Sequence, residues 1–168
     1  MKKLIVFAIA ILGFTAVSFG QATANAPASA NIISPITLSK TTDMNFGNIA
    51  VNASVGTVLL TPASTRTPVG GVTLPAAKGT VTAAVFTVGG ETTNTFAITL
   101  PSTDFTITRA SGTETMIVNA FTSTPSGTGA LSGGTATINV GATLNVGASQ
   151  VPGSYTNAGG FAVTVNYN

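Results

Sequence analysis

The end of the chain alternates large apolar and small or polar side chains with a period of two residues. That period is typical of a β-strand with one face packed on a core. A strand that closes a chain needs an existing sheet to pair with, so the pattern predicts that the preceding residues form β-sheets. The apolar positions of this closing strand, 161–167, are Phe161, Val163, Val165 and Tyr167.

Short segments rich in Thr and Val recur about every ten residues, separated by Gly, Pro and Ser, as in sandwiches and barrels. No window has a convincing helical period, so almost no helix is expected. The sequence predicts an all-β fold, an immunoglobulin-like antiparallel β-sandwich of about 8–10 strands. The predicted strands are 31–39, 56–61, 71–74, 80–88, 95–100, 104–109, 113–121, 135–140, 142–146 and 161–167.

Two glycine-rich segments carry turn or loop signals. Pro68–Gly71 carries the turn residues Pro and Gly, which favour a reversal of the chain. Residues 122–134 form the longest segment without a pattern and contain four glycines and a proline, which predicts a mobile loop or ribbon tip. Gly47, inside an otherwise alternating segment, predicts a bulge or a close approach of backbones.

The N-terminus has the charged, apolar and small-residue regions of a secretory signal peptide. Lys2 and Lys3 precede the apolar run 4–12, and small residues surround Phe19. We expect cleavage after Gly20, which makes residues 1–20 a signal peptide. The alternative is a membrane anchor, but the apolar stretch 4–19 is short for the roughly 20 residues that span a bilayer. The expected localisation is exported: periplasmic, at the cell surface or extracellular.

Residues 21–30 are predicted to be a loosely held N-terminal arm, and residues 31–168 the sandwich domain. Alanines occupy every second position of the arm from Ala22 to Ala30, and Ile32 continues the parity. Pro27 cannot donate a ladder hydrogen bond, so the arm is expected to be an edge strand or a flexible extension.

Charge and cysteine content restrict the partners. Without residues 1–20 the chain keeps four basic residues, Lys40, Arg66, Lys78 and Arg109, and four acidic residues, Asp43, Glu91, Asp104 and Glu114. A net charge near zero gives no field for nucleic acid or anionic lipid. The absence of cysteine excludes disulfides and a lipid-modified cysteine. The expected partners are copies of the chain itself or other surface proteins, without a transmembrane segment in the mature chain.

The residue types that carry common catalysis are scarce. Without histidine and cysteine, neither the Ser-His-Asp and Cys-His arrangements nor the usual zinc sites can be built. The four carboxylates have simpler interpretations, as turn charges or weak surface pairs with Lys40 and Arg109. We therefore expect no enzyme activity, no catalytic residue, no metal ligand and no cofactor. Most phenylalanines fall in alternating strands, as core residues do. Tyr155 is placed to tie a sandwich corner to the backbone through its hydroxyl.

Several motifs, in order, resemble the domain-of-unknown-function 4402 family of exported proteins from Gram-negative bacteria. The resemblance covers nearly the whole mature chain and implies a β-sandwich fold and export, but no activity. The motifs are Pro35-Ile-Thr-Leu38, Met44-Asn-Phe46-Gly47, Phe86-Thr-Val-Gly89, Thr99-Leu-Pro101, 140–147, and Pro152-Gly-Ser-Tyr155 through Val163-Thr-Val-Asn-Tyr167.

The ending also resembles that of spore-coat-U-type and chaperone-usher pilus subunits, in a Gly-x-Tyr turn and a final strand with tyrosine near the C-terminus. Those subunits are incomplete sandwiches that polymerise when an N-terminal arm of the next subunit fills a missing strand. This chain departs from them in its small arm side chains and its lack of a cysteine pair. The expected function is a non-enzymatic exported structural or surface protein, pilus-like or fibre-like. The alternative is an extracellular binding module for carbohydrate or another surface molecule, recognised by segment 122–134 or a strand face.

Overall fold

The computed structural model describes residues 20–168, which form eleven β-strands and no helix. The predicted all-β antiparallel sandwich is confirmed, with one strand more than the upper end of the expected range. The predicted signal peptide, apart from Gly20, lies outside the described residues. The strands are β1 (Thr37–Thr42), β2 (Ala50–Leu60), β3 (Arg66–Thr73), β4 (Ala84–Gly89), β5 (Thr95–Thr99), β6 (Phe105–Arg109), β7 (Thr115–Thr124), β8 (Thr128–Ala130), β9 (Thr135–Val146), β10 (Tyr155–Thr156) and β11 (Thr164–Tyr167).

Eight strands form one large antiparallel sheet around β9, in the order β1-β4-β9-β7-β6-β10 with β2 and β3 beside it. The first half of β9, residues 135–140, pairs with β4, and residues 142–146 pair with β2. The other edge of β9 pairs with β7. The sequence predicted two strands here, and the structure joins them into one strand of 12 residues.

Gly141 marks the point where β4 gives way to β2 along β9. A side chain at this position would collide with the carbonyl oxygen of Leu60 at the end of β2. The absence of a Cβ therefore allows two strands to meet on one edge of β9, and the large sheet divides at this residue into two halves.

The β2–β3 hairpin corrects the prediction of a turn at Pro68–Gly71, because these residues lie inside β3. In the described residues β3 pairs only with β2, so Pro68 is on an edge strand, where its missing N–H is tolerated. Opposite Gly71, residues 52–55 of β2 form an irregular bulge. Gly70 and Gly71 accommodate this bulge and do not form a chain reversal. A Cβ at Gly71 would collide with the Ser54 carbonyl oxygen.

Three strands form a second, smaller sheet in the order β11-β5-β8. The closing strand pairs with β5 over residues 164–167, so the predicted strand 161–167 is too long by three residues. Gly129 of β8 lies on the ring of Phe96, where a side chain would collide with the aromatic carbons. The prediction of an unpatterned loop at 122–134 is wrong, because β7 extends to Thr124, β8 follows and Leu131 is buried.

The N-terminal part divides from the rest of the chain between Ile32 and Ile33. Residues 20–32 are exposed and contain no strand. The predicted first strand, 31–39, begins later, at Thr37, and runs on through Thr42, three residues past its predicted end. Pro35 lies two residues before the strand and lacks the N–H that a ladder position uses, so pairing begins after it.

Candidate functional site

Two clusters of buried apolar residues lie in the sandwich, and they differ in how they are covered. The first contains residues of both sheets, including Val88 and Ile138 of the large sheet and Phe96 and Val165 of the small one. In the second, the buried members among the described residues all come from the large sheet. They are Val58, Val72, Val118, Ala142, Leu144 and Val146. We call the two regions the closed half and the open half.

The open half contains large apolar side chains that are half-buried. Nine of them pack against the second cluster without being buried themselves. In a finished sandwich, residues of the two inner faces interdigitate and leave water outside. The inner face of the open half is therefore incompletely covered. The nine residues are Met44, Phe46, Ile49, Val51, Leu74, Phe105, Ile107, Met116 and Phe121.

A cavity of about 1120 Å³ lies over this open half, and we call it the groove. Side chains of β4, β6, β7 and β9 line it, among them Phe86, Ile107, Val118 and Leu144. Lys40, Asp43 and Thr80 also line it, and most of the remaining lining comes from residues 44–51 and 150–161, in which Ala50–Val51 and Tyr155–Thr156 are in strands. Mostly irregular chain thus replaces a strand layer on this side.

The first wall of the groove, residues 44–49, is held by Arg66 of β3. The Arg66 guanidinium donates from Nη1 to the carbonyl oxygens of Phe46 at 2.6 Å and Asn48 at 2.9 Å. Gly47 lies between these carbonyls with a φ of 68°, and a Cβ there would collide with the Lys78 carbonyl oxygen. The predicted close approach at Gly47 is confirmed, and it fixes this wall against residues 78–80.

The second wall, residues 150–158, is organised by Tyr155. Its hydroxyl donates to the Val151 carbonyl oxygen at 2.7 Å and accepts from Gln150 Nε2 at 2.8 Å. The hydroxyl thus ties the corner to the backbone, so the predicted structural role of Tyr155 is confirmed. Farther along the wall, Asn157 Nδ2 donates to the Thr106 carbonyl oxygen of β6 at 2.7 Å.

The hydroxyl of Tyr155 gives a direct test of this corner. We expect Tyr155→Phe to lower the free energy of unfolding by about 1 kcal/mol, because the substitution keeps the ring but removes both hydrogen bonds. Urea denaturation followed by circular dichroism measures the change. An unchanged unfolding midpoint would contradict the role of the hydroxyl.

Phe161 lies where the two halves meet. Its ring centroid is 4.8 Å from that of Phe121, 5.9 Å from that of Phe105 and 6.3 Å from that of Phe86. The last two pairs are edge-to-face, an arrangement that aromatic rings favour. Phe161 packs with the closed half and also lines the groove. The sequence predicted it as a core residue, and the structure leaves it half-buried.

Most charged side chains of the described residues make polar contacts with their neighbours. In the groove lining, Lys40 and Asp43 pair with each other. Arg109 and Glu114 form a bidentate pair, Nε to Oε2 at 2.6 Å and Nη2 to Oε1 at 3.2 Å. Among residues 20–168, no group of three acidic, histidine or cysteine side chains is placed to hold a metal ion. The interpretation of the carboxylates as surface pairs is confirmed for Asp43 and Glu114.

The other two carboxylates also bind neighbouring polar groups. Asp104 accepts from Asn119 Nδ2 at 3.0 Å. Glu91 accepts from the Ser34 backbone N–H at 3.2 Å, and its own N–H donates to the Tyr167 hydroxyl at 2.6 Å. The Tyr167 hydroxyl in turn donates to the Ser34 carbonyl oxygen at 3.0 Å. The last strand, the β4–β5 turn and the chain before β1 are thereby joined.

Acidification is expected to destabilise the fold through two of these groups. The backbone N–H of Ser34 lowers the pKa of Glu91 below 4.5, and the hydrogen bond from Arg109 lowers the pKa of Glu114 below 4.5. A folded-state pKa below the unfolded one gives stability that is present above the unfolded pKa and is lost as the pH falls through the folded pKa. Thermal midpoints should therefore stay level from neutral pH down to the unfolded pKa of these carboxylates, 4.5, and fall as the pH is lowered further and both groups become protonated.

The double variant Glu91→Gln, Glu114→Gln is the control for this pH dependence. It should show a flatter profile than the unmodified chain, because it cannot lose these two charges. Both side chains are accessible to solvent, so the difference should be modest. Profiles of equal steepness would show that other groups cause the acid sensitivity.

The fold is an antiparallel β-sandwich with one half covered by a second sheet and the other half open as a groove. A family profile described as Domain of unknown function (DUF4402) matches residues 36–167, and the chain belongs to this family. The match includes all eleven strands and both walls of the groove. No curated protein and no solved structure matches the chain.

The expected family is thus confirmed, while the resemblance to pilus and spore-coat subunits stays a prediction. A search for membrane-spanning helices within residues 20–168 finds none with the required length and hydropathy. The groove itself had no signal in the sequence, because its lining comes from segments far apart in the chain.

Proposed function

We propose that this protein is a non-enzymatic, exported structural protein whose subunits associate through the groove into a surface or fibre-like assembly. The observation that carries the proposal is the open half. Nine large apolar side chains surround the second cluster and stay half-buried, while irregular chain occupies the place of a strand layer. A structural role needs no catalytic group, in keeping with a chain that lacks histidine and cysteine.

The energetics favour association at the groove. Apolar area removed from water contributes about 25 cal/mol per Å², and contiguous apolar surfaces on isolated subunits commonly mark interaction sites. The groove lining carries one charged pair, Lys40 with Asp43, so its occupation requires no unpaired charge to lose water. The balanced charge of residues 21–168 does not oppose contact between copies.

Export is part of the same proposal and depends on the N-terminal sequence. Lys2, Lys3 and the apolar run 4–12 have the order of a secretory signal peptide. An assembly outside the inner membrane would also suit a chain without cysteine, because its stability comes from packing and strand pairing in any redox environment.

The test is the molar mass of purified residues 21–168, measured by light scattering over a range of concentrations. We expect masses above that of the monomer, rising with concentration. A chain that stays monomeric at every concentration would overturn the assembly proposal.

Two matched substitutions show whether the groove is responsible. Ile107 of β6 lines the groove, whereas Ile117 of β7 alternates with the buried Val118 and lies outside the groove lining. Both isoleucines are half-buried. Ile107→Ser should reduce association, and Ile117→Ser should leave it near that of the unmodified chain. If the two variants associate equally, the subunits contact each other outside the groove.

The alternative function, a carbohydrate-binding module, is supported by a different surface. Segment 122–134 contains the end of β7 and all of β8 and is not one long loop, so we consider a strand face instead. A hydrogen-bonded row of Asn145, Asn119 and Asp104 crosses β9, β7 and the start of β6 on the outward face. Such amides and carboxylates suit sugar hydroxyls. Glycan-array binding that Asn119→Ala abolishes would favour this alternative.

A further inference from the structure

The sequence contains two glutamines, Gln21 and Gln150, and the structure places them in opposite surroundings. Gln150 is half-buried, and its amide nitrogen donates to the Thr115 carbonyl oxygen at 3.3 Å and to the Tyr155 hydroxyl at 2.8 Å. Gln21 is exposed, lies outside every strand and takes part in none of the hydrogen bonds within residues 20–168. Nothing in the described part of the chain therefore holds its side-chain amide.

The expected removal of the signal peptide makes Gln21 the first residue of the exported chain. The charged, apolar and small-residue regions end at Gly20, so the cut falls between Gly20 and Gln21. Cleavage of that peptide bond converts the backbone nitrogen of Gln21 from an amide into a primary amine. A nucleophilic amine and an electrophilic side-chain amide then belong to the same residue.

These two groups can react with each other without any co-reactant. The α-amino nitrogen attacks the side-chain carbonyl carbon Cδ, and the new C–N bond closes a five-membered ring. The bond between Cδ and Nε2 breaks, and Nε2 leaves as ammonia with its own two hydrogens and one proton from the amine. No atom is oxidised or reduced. The product is a lactam, pyroglutamate, whose ring nitrogen keeps one hydrogen.

The local structure permits this ring closure. Residues 20–32 are exposed and contain no strand, so the backbone of Gln21 can rotate and bring its nitrogen onto Cδ. A position in a β-ladder would hold the backbone extended and engage the N–H in pairing. The next residue, Ala22, has only a methyl side chain to place beside the ring.

Resting on the export that is part of the proposed function, we infer that Gln21 is a modification site. After the signal peptide is removed, Gln21 cyclises to pyroglutamate and blocks the N-terminus of the mature chain.

Cyclisation removes a positive charge from that N-terminus. An α-amino group is mostly protonated at neutral pH, whereas a lactam nitrogen is neutral. Residues 21–39 contain no charged side chain, so Lys40 becomes the first charged group of the mature chain. The whole segment ahead of β1 is then uncharged.

The lactam also protects the part of the chain that strand pairing protects least. Exposed terminal segments without secondary structure are preferred sites of proteolysis. Aminopeptidases bind the free α-amine of their substrates, and pyroglutamate has none. Residues 21–32 should therefore resist removal from the N-terminus although they are exposed.

The first test is the mass of the N-terminal peptide after export. A bacterium produces the complete sequence, and the exported fraction is digested with trypsin, which cuts first after Lys40 because residues 21–39 contain no Lys or Arg. We expect a peptide 21–40 that lacks the mass of one ammonia, with fragment ions that place the loss at residue 21. A peptide 21–40 of full mass overturns the inference.

The second test follows the reaction in purified residues 21–168 that begin with Gln21. Over several days at physiological temperature, ammonia loss at residue 21 should accumulate, and dilution of the protein should not change the rate, because both reacting groups belong to one residue. The matched control, Gln21→Ala, keeps its amine and should show no loss at that position. A rate that falls on dilution, or no loss in the unmodified chain, contradicts the reaction.

Treatment with an aminopeptidase tests the protection. The cyclised chain should keep its mass, whereas the Gln21→Ala chain should be shortened from its N-terminus. A pyroglutamate-specific peptidase should remove residue 21 from the first chain and make it as sensitive as the second. Equal shortening of the two untreated chains overturns the inference.

The outcomes separate this inference from export. An exported fraction without the protein, or a chain that still begins at Met1, counts against export and against cyclisation together. An exported chain that begins at Gln21 with a free amine, or at a later residue, leaves export standing but overturns the modification of Gln21.

Discussion

A chain that lacks residues 160–168 is expected to lose its cooperative thermal transition and to aggregate. The deletion removes Phe161, Val165 and the Tyr167 hydroxyl bridge, and it leaves one edge of β5 unpaired. A large apolar side chain contributes roughly 1.5–3 kcal/mol when fully buried, against a total stability of about 5–15 kcal/mol. Although several of these side chains are only half-buried, their combined loss is comparable to the whole free energy of unfolding.

Calorimetry of the truncated and complete chains measures this effect. The matched control changes the outward-facing residues of the same strand, Thr164→Ser and Asn166→Ser, which are exposed and should shift stability by no more than about 0.5 kcal/mol. A sharp transition in the truncated chain would show that the closing strand is dispensable. An exposed edge on β5 would then need another cover.

The sequence predicted the strands correctly where their side chains alternate along the chain. Alternation identified β4, β5, β6 and most of β9, because in each strand the side chains of one face are more buried than those of the other. Tyr155 and Gly47 were also interpreted correctly. The tyrosine corner depends on backbone four residues away, at Val151, whereas the interruption of an alternating segment by Gly47 indicated a close approach without identifying its partner, Lys78.

The errors occur where tertiary pairing overrides a local turn signal. Pro68 and Gly71 have the composition of a reversal, yet β2 holds them in an edge strand and a bulge. Residues 128–130 have no alternating apolar pattern, but β5 pairs with them because Gly129 lets the Phe96 ring approach. The β-propensity of a segment does not predict a strand that forms because a neighbouring strand pairs with it.

The groove was beyond prediction because it depends on how two sheets of unequal size overlap. Gly141 divides β9 into a half beside β4 and a half beside β2, and the buried residues of the small sheet pack only on the first cluster. Phe96 and Phe105 look alike in the sequence, each within an alternating segment. Only the sheet order shows that one is enclosed and the other faces the groove.

The same substitution at these two phenylalanines is expected to have very different costs. Phe96 is fully buried in β5, so Phe96→Ala should lower the free energy of unfolding by about 3–5 kcal/mol through the lost transfer energy and the cavity that is left. Phe105 is half-buried, so Phe105→Ala should cost a dilute monomer only about 1–2 kcal/mol. Urea unfolding at low protein concentration measures both values.

When association is measured instead of stability, Phe105→Ala should have the larger direct effect of the two substitutions. Phe105 lines the groove and Phe96 does not, so Phe105→Ala should weaken assembly more than its small effect on the monomer implies. Phe96→Ala should affect assembly only as far as it unfolds the subunit. If the two substitutions cost a dilute monomer the same, the open half is as well packed as the closed half. The groove would then lose the exposed apolar surface that the assembly proposal requires.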